Sequence, residues 1–209
     1  MSKAKKLQDQ VKHVKQKVGE NVYLYNVPVA YAAVHRPVKK YQSTDTEYKL
    51  TAFLTTEQRE FLENEVLVNK TIAEVDVDRN KKRKIKYSSE DFPFAEGLHG
   101  VQLTKASHTK EGKPTAVTVV APVDGKGVPF EEDIGNGSVC TVKLWGYRNQ
   151  DELLNISIDT VIVIDHVPYE GGAGGVVEDE NLGITYEVKR AETKADDDSQ
   201  QDEPPFDTG

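Results

Sequence analysis

Apolar and polar positions alternate in twos along most of this chain, and the alternation breaks in only a few places. Asn21–Val38 (NVYLYNVPVAYAAVHRPV) is rich in aromatic and β-branched residues and predicts a long first strand with an irregularity at Pro28. Thr46–Thr55 (TEYKLTAFLT) alternates cleanly, placing Tyr48, Leu50, Ala52 and Leu54 on one face. Thr55 or Thr56 then offers a helix N-cap, and Glu57–Asn69 carries Phe61, Leu62 and Val66 at helical spacing, the one internal helix predicted. Strands resume at Leu98–Ala106, Thr115–Ala121, Val139–Tyr147 and Leu154–Val167, with turn dipeptides at Asp124-Gly125 and Asn136-Gly137. Between helix and strands, Lys70–Glu96 has no firm period and predicts a surface excursion. Ahead of the first strand, Leu7, Val11, Val14 and Val18 form a helical stripe among lysines.

Strands with tight glycine-containing turns and a single helix indicate a mainly β fold. The expectation is an OB-type five-stranded barrel with one internal helix, a basic excursion and a disordered acidic C-terminal tail. Closure would hide the edges of strands this apolar. Val176–Lys189 is expected to add one short strand (ITYEV), after the flexible GGAGG of Gly171–Gly175. From Arg190 onward the chain is too polar to offset its ordering entropy.

Charge changes the picture more than composition does. The 209 residues carry a net charge of −8, which by itself argues against a polyanionic partner. Six of the acids, Asp196, Asp197, Asp198, Asp202, Glu203 and Asp207, lie after Lys194 with no base among them, and without them the rest of the chain carries only −2. Within that body Arg79–Lys86 reads RNKKRKIK, and Lys3, Lys5, Lys6, Lys12, Lys15 and Lys17 crowd the start. Basic segments on a nearly neutral body, with a detached acidic end, suggest a polyanion-binding domain. The division expected is a basic amphipathic arm over 1–20, an OB-type nucleic-acid-binding domain over 21–189 and the acidic tail over 190–209.

Several function classes are disfavoured. Cys140 is the only cysteine, so no intrachain disulfide forms and a reducing, cytoplasmic setting is expected. The longest apolar runs, such as Val161–Ile164, fall far short of the roughly 20 residues of a membrane helix, and no apolar segment follows the Lys-rich start as a secretory signal requires. There is no Gly-rich phosphate loop with its lysine and no paired His/Glu metal motif. Neither a cofactor nor a metal is implied: Glu131, Glu132 and Asp133 read as a solvated loop and Cys140 as a small apolar filler.

A nonspecific binder of single strands needs cations that follow the phosphates and exposed rings that stack on bases. Three places combine them. Strand Val139–Tyr147 turns Cys140, Val142 and Leu144 inward, which leaves Thr141, Lys143, Trp145 and Tyr147 outside, continued by Arg148. The loop after the first strand holds Arg36, Lys39, Lys40 and Tyr41, followed by Lys49 on the outward face of the next strand. The basic run supplies Lys81, Lys82, Arg83, Lys84 and Lys86 beside Tyr87, with Lys105 extending the surface. The acidic tail, with Phe206 as its one apolar anchor, is expected to compete with DNA for the cationic surface at high effective concentration.

These features resemble, in their order, the replication single-stranded DNA-binding proteins of tailed phages, of the short-tailed coliphage type. The parallel segments are AYAAVHRPVKK, EYKLTAFLT leading into the helix, the excursion ending in DFPF, VTVVAPVDGKGVPFEEDIGNGSVCTVKLWGY, LLNISIDTVIVID and GGAGG ahead of the tail. The resemblance covers Tyr23 to Gly175 and the style of the tail. It implies an OB barrel that protects exposed strands in phage DNA replication, recombination and repair, in the host-cell cytoplasm. Its implied partners are single-stranded DNA, a phage DNA polymerase or helicase contacted through Asp196, Asp197, Asp198, Asp202, Glu203, Phe206 and Asp207, and a second copy of the chain in a homodimer. No membrane partner is implied. One feature departs from the family: an aromatic residue closes those chains, whereas Phe206 is followed here by Asp207, Thr208 and Gly209. The alternative is a phage structural or protein-interaction protein whose basic run is incidental.

Overall fold

The computed structural model describes residues 11–77, 86–169, 176–179 and 184–187, in two units that divide between Tyr169 and Glu170. In chain order the first unit contains β1 (Val11–Lys15), β2 (Glu20–Lys39), β3 (Thr46–Leu54), α1 (Thr56–Phe61), β4 (Ile72–Glu74), β5 (His99–Ala106), β6 (Thr118–Val123), β7 (Lys126–Pro129), β8 (Val139–Arg148) and β9 (Leu154–Asp165). They form one sheet in the order β4-β5-β3-β2-β8-β9-β6-β7, with β1 added to β2.

The middle of that order, β5-β3-β2-β8-β9, is the five-strand order of an OB barrel. The length of β2 makes it possible. Its first half pairs with β8 (Val22 opposite Leu144, Leu24 opposite Val142) and its second half with β3 (Val29 opposite Ala52, Ala30 opposite Thr51). Between the halves Asn26 takes a left-handed φ of 51° where the register slips between Leu24 and Val27, so the strand bends from one wall to the other. The sheet stays open: β5 and β9 run near each other without a ladder among the described residues.

The core is the inward set that the alternation predicts. Val22, Leu24, Leu50, Leu54, Leu103, Val142, Leu144 and Ile158 are all essentially inaccessible, each contributing about 1.5–3 kcal/mol by leaving water. α1 starts where the sequence places it. Thr55 accepts from the Gln58 backbone N–H, and Gln58 Oε1 accepts from the Thr55 N–H, a complete capping box. The buried Gln58 amide also donates to the Tyr25 carbonyl at 2.8 Å, pinning the helix to the bend of β2. The helix is shorter than the predicted Glu57–Asn69: it passes into a π turn over Leu62–Val66 and ends at Leu67, whose φ of 55° is left-handed. Residues 67–69 then lie along the start of β9, with Leu154 exchanging backbone hydrogen bonds with Leu67 and Asn69.

Two sequence expectations are corrected. The stripe Val11, Val14, Val18 is not helical: Val11–Lys15 is a strand on β2, closed by a turn at Gly19 (φ 72°), with Val18 left 77 % exposed. Nor is Lys70–Glu96 a surface excursion throughout. Its Tyr87, Phe92 and Ala95 are buried with Ala30, Phe53 and Val75 as a second core, outside the barrel wall. Phe53 meets Tyr87, Phe92 and Phe94 at centroid distances of 5.6, 5.3 and 5.6 Å. The second core fits because Gly100 has no side chain: a Cβ there would come within 2.4 Å of the Tyr87 ring.

In the second unit, β10 (Val176–Asp179) and β11 (Ile184–Glu187) form an antiparallel pair. Among the described residues no helix is long and apolar enough to cross a membrane.

Candidate nucleic-acid interface

The outward side of β1, β2, β8 and β9 carries a cluster of rings. Because Val22, Leu24, Val142 and Leu144 face the core, Tyr23 and Tyr25 on β2 and Lys143, Trp145 and Tyr147 on β8 face away from it. The ladders align them: Lys12 of β1 lies opposite Tyr23, which lies opposite Lys143, and in the next rung Val14, Asn21 and Trp145 follow in turn. Trp145 and Tyr147 are 41 % and 56 % exposed with ring centroids 6.3 Å apart, while Tyr23 and Tyr25 stack nearly parallel at 6.2 Å. Trp145 is exposed on one side only. The β1–β2 turn covers the other so closely that a Cβ on Gly19 would lie 2.6 Å from its indole nitrogen. Thr141, at the inner end of this strip, is buried.

Electrostatics separates the cations of this face from those elsewhere. Lys143 Nζ sits 2.6 Å from Asp159 Oδ2, and the hydrogen bond to that carboxylate, with its charge, raises the lysine's pKa against the opposing effect of burial. For Asp159, burial pushes the pKa up. The hydrogen bond and charge of Lys143, a hydrogen bond from Thr160 and the charge of Lys105 outweigh it, and the net shift is downward. Asp159 occupies its position because the β8–β9 register slips between Lys143 and Leu144. Lys105, from β5, acts on that carboxylate through its charge alone; the ion pair is with Lys143.

Arg148 does not continue the strip. Its guanidinium pairs with Glu20 at 2.7 Å and donates to the Glu152 carbonyl, and Glu20 is also hydrogen-bonded to His13. Burial raises the Glu20 pKa, but the hydrogen bonds and charges of Arg148 and His13 bring it below the ordinary value. The three residues clamp β1 and its turn onto the end of β8.

The other predicted cations belong to the β2–β3–β5 half. Lys39 at the end of β2 and Lys40 and Tyr41 in the β2–β3 loop are exposed, Tyr41 at 86 %, and Lys40 lines one groove with Lys110. Lys49 lies on β3 between its rungs with Ala33 and Thr104. Lys39, Lys40, Lys49, Lys86 and Lys110 form no ion pair with another described residue. Arg36 makes a loose, exposed contact of 3.7 Å with Asp133. The loop of Glu131, Glu132 and Asp133 is otherwise held by two histidines that meet main-chain carbonyls, His35 that of Glu132 and His166 that of Asp133.

Tyr87 is not an accessible ring, contrary to its place among the predicted contacts. It is 5 % exposed inside the second core, and Lys86 lies over it with Nζ 5.2 Å from the ring centroid. Lys81, Lys82, Arg83, Lys84 and the tail residues Asp196, Asp197, Asp198, Asp202, Glu203, Phe206 and Asp207 lie outside the described residues. Tyr23, Tyr25 and Lys12 were missed as candidates, although the alternation of YLY around an inward Leu24 signals the two tyrosines. Cys140 is buried, and that burial pushes its thiol up to about 12, which leaves it unreactive.

No protein-family model and no curated protein matches the chain. Among solved structures it is similar to the single-stranded DNA-binding protein from bacteriophage Enc34 in complex with ssDNA, with TM-score 0.45 and 15 % identity over 77 % of this chain and 99 % of that one. It is similar also to a C-terminal truncation of the Enc34 protein (TM-score 0.43, 14 % identity, 76 % and 97 % covered). A third is gp2.5, a single-stranded DNA-binding protein encoded by bacteriophage T7 (TM-score 0.45, 14 % identity, 74 % and 91 % covered).

Proposed function

We propose that this protein binds single-stranded DNA without sequence preference, holding the strand by phosphate contacts and base stacking, and that it is not an enzyme. One observation carries the reading: Trp145, Tyr147, Tyr23 and Tyr25 share an outward barrel face with Lys12 and Lys143. Large rings at the surface of a barrel with a filled core serve no packing need there, and flat faces between cations suit unpaired bases on a phosphate backbone. The unpaired lysines 39, 40, 49 and 86 supply charge along the neighbouring wall.

The phage setting, with protection of strands in replication, recombination and repair in the host cytoplasm, rests on the order of sequence features that resembles the phage family. The acidic tail competes with DNA because its six acids are tethered to the cationic surface, and on the family resemblance it contacts a replication polymerase or helicase. Fluorescence anisotropy of labelled oligo(dT) with the full chain and with a chain lacking 195–209 tests both parts. Binding by both, tighter for the shorter chain at low salt, is the expected result. Equal affinity removes the competing role of the tail, and no binding by either removes the function.

A further inference from the structure

Tyr31 is an odd residue in a strand. It sits in β2 with a left-handed φ of 51°, a conformation that costs a bulky side chain energy and that neighbours must enforce. The enforcement is visible. The register of β2 on β3 slips between Ala30 and Ala33, and the Tyr31 N–H, released from the ladder, donates to Asn136 Oδ1 at 2.9 Å across 105 residues of sequence. The turn that carries Asn136 is fixed in its own right: Gly137 has φ 92° and packs under Phe94, and its N–H donates to the Val29 carbonyl. The outcome is a tyrosine that is 59 % exposed with its ring perpendicular to that of buried Phe92, centroids 5.4 Å apart. Phe92 gives the ring a buried support while more than half of Tyr31 stays in solvent.

Cations flank it. Lys49 lies on the next rung of β3, opposite Ala33, and Lys86 lies over Tyr87, which packs against the same Phe92. We infer that Tyr31 is a platform for an unpaired nucleobase, a second stacking position on the β2–β3 wall, with Lys49 and Lys86 receiving the adjoining phosphates and Asn136 as the positioning residue. The inference rests on the proposed binding of single strands and adds a contact separate from the Trp145 face. It also gives the second core a purpose, since Phe92 supports the platform.

The test uses the full chain. Tyr31→Ala is expected to weaken oligo(dT) binding about 5- to 100-fold, the range that losing one stacked base gives, and Tyr31→Phe to stay within about twofold. Asn136→Ala is expected to weaken binding in the unmodified chain and to have no further effect on top of Tyr31→Ala, a coupling that a general loosening would not produce. Photocrosslinking of the unmodified chain to an oligomer carrying 5-iododeoxyuridine is expected to mark Tyr31, and this needs no variant to fold. An unmodified chain that binds oligo(dT), gives no crosslink at Tyr31 and loses nothing on Tyr31→Ala overturns this inference alone. Failure of the unmodified chain to bind oligo(dT) overturns it together with the function proposed above.

Discussion

Lys143 Nζ and Asp159 Oδ2 lie 2.6 Å apart on the ring-bearing face, with the Thr160 hydroxyl donating to the same carboxylate. On the proposed function, a phosphate that reaches Lys143 has to displace this carboxylate. Asp159→Asn is therefore predicted to tighten binding about fivefold at low salt, a gain of ~1 kcal/mol that is typical of a partly exposed charge. The slope of log K against log salt should steepen by about 0.7 for one added phosphate contact. A titration at four salt concentrations measures both. Unchanged affinity and slope would mean that no phosphate reaches Lys143.

Trp145 contributes its free side to the face, since the Gly19 turn covers the other. Trp145→Ala is predicted to cost about 1–3 kcal/mol of binding if one base stacks there, and indole fluorescence should fall on binding, because Trp145 is the chain's only tryptophan. Gly19→Ala provides a graded version: its Cβ would press on the indole from a backbone conformation that alanine resists. That variant should bind more weakly than the unmodified chain. Full affinity in both variants, with intact folding, would remove Trp145 from the interface.

Glu20 ties β1 to β8 through His13 and Arg148. Glu20→Gln is predicted to lower stability by about 1–3 kcal/mol, the usual loss for a hydrogen bond to a charged group. Because the folded-state pKa of Glu20 lies below its ordinary value, its contribution is complete above the unfolded-state pKa and disappears as the pH falls through the folded one. Denaturant titrations should accordingly show the two proteins well separated at neutral pH and converging below about pH 4. A gap that stays constant into acid would contradict this account of the clamp.

The barrel wall was legible in the sequence wherever a strand has one wet and one dry face. Val22 and Leu24, or Val142 and Leu144, announce their orientation by alternation alone, and the same alternation placed Trp145 and Tyr147 outside. Thr55 made the helix start readable, as capping is local chemistry, although its reciprocal partner Gln58 was not singled out. What the sequence did not show depends on partners far along the chain. Val11 and Val14 have the spacing of a helix, and only β2 makes them a strand. Tyr87 looked like a surface ring because the space it fills is left by Gly100, and no period in Lys70–Glu96 announces that packing. Arg148 looked free because Glu20, its partner, is 128 residues away. Tyr31 gave no signal at all, since the bulge that exposes it is set by Asn136.

The central claim is that this barrel holds unpaired DNA by charge and flat rings. Its most direct test is an oligo(dT) titration of the full chain at two salt concentrations, with a duplex of equal length as competitor. Saturable binding that weakens steeply with salt, by about 0.7 in log K per log salt for each phosphate contacted, and that the duplex barely displaces is the predicted result. No retention of the oligomer in dilute buffer, with or without residues 195–209, would contradict it.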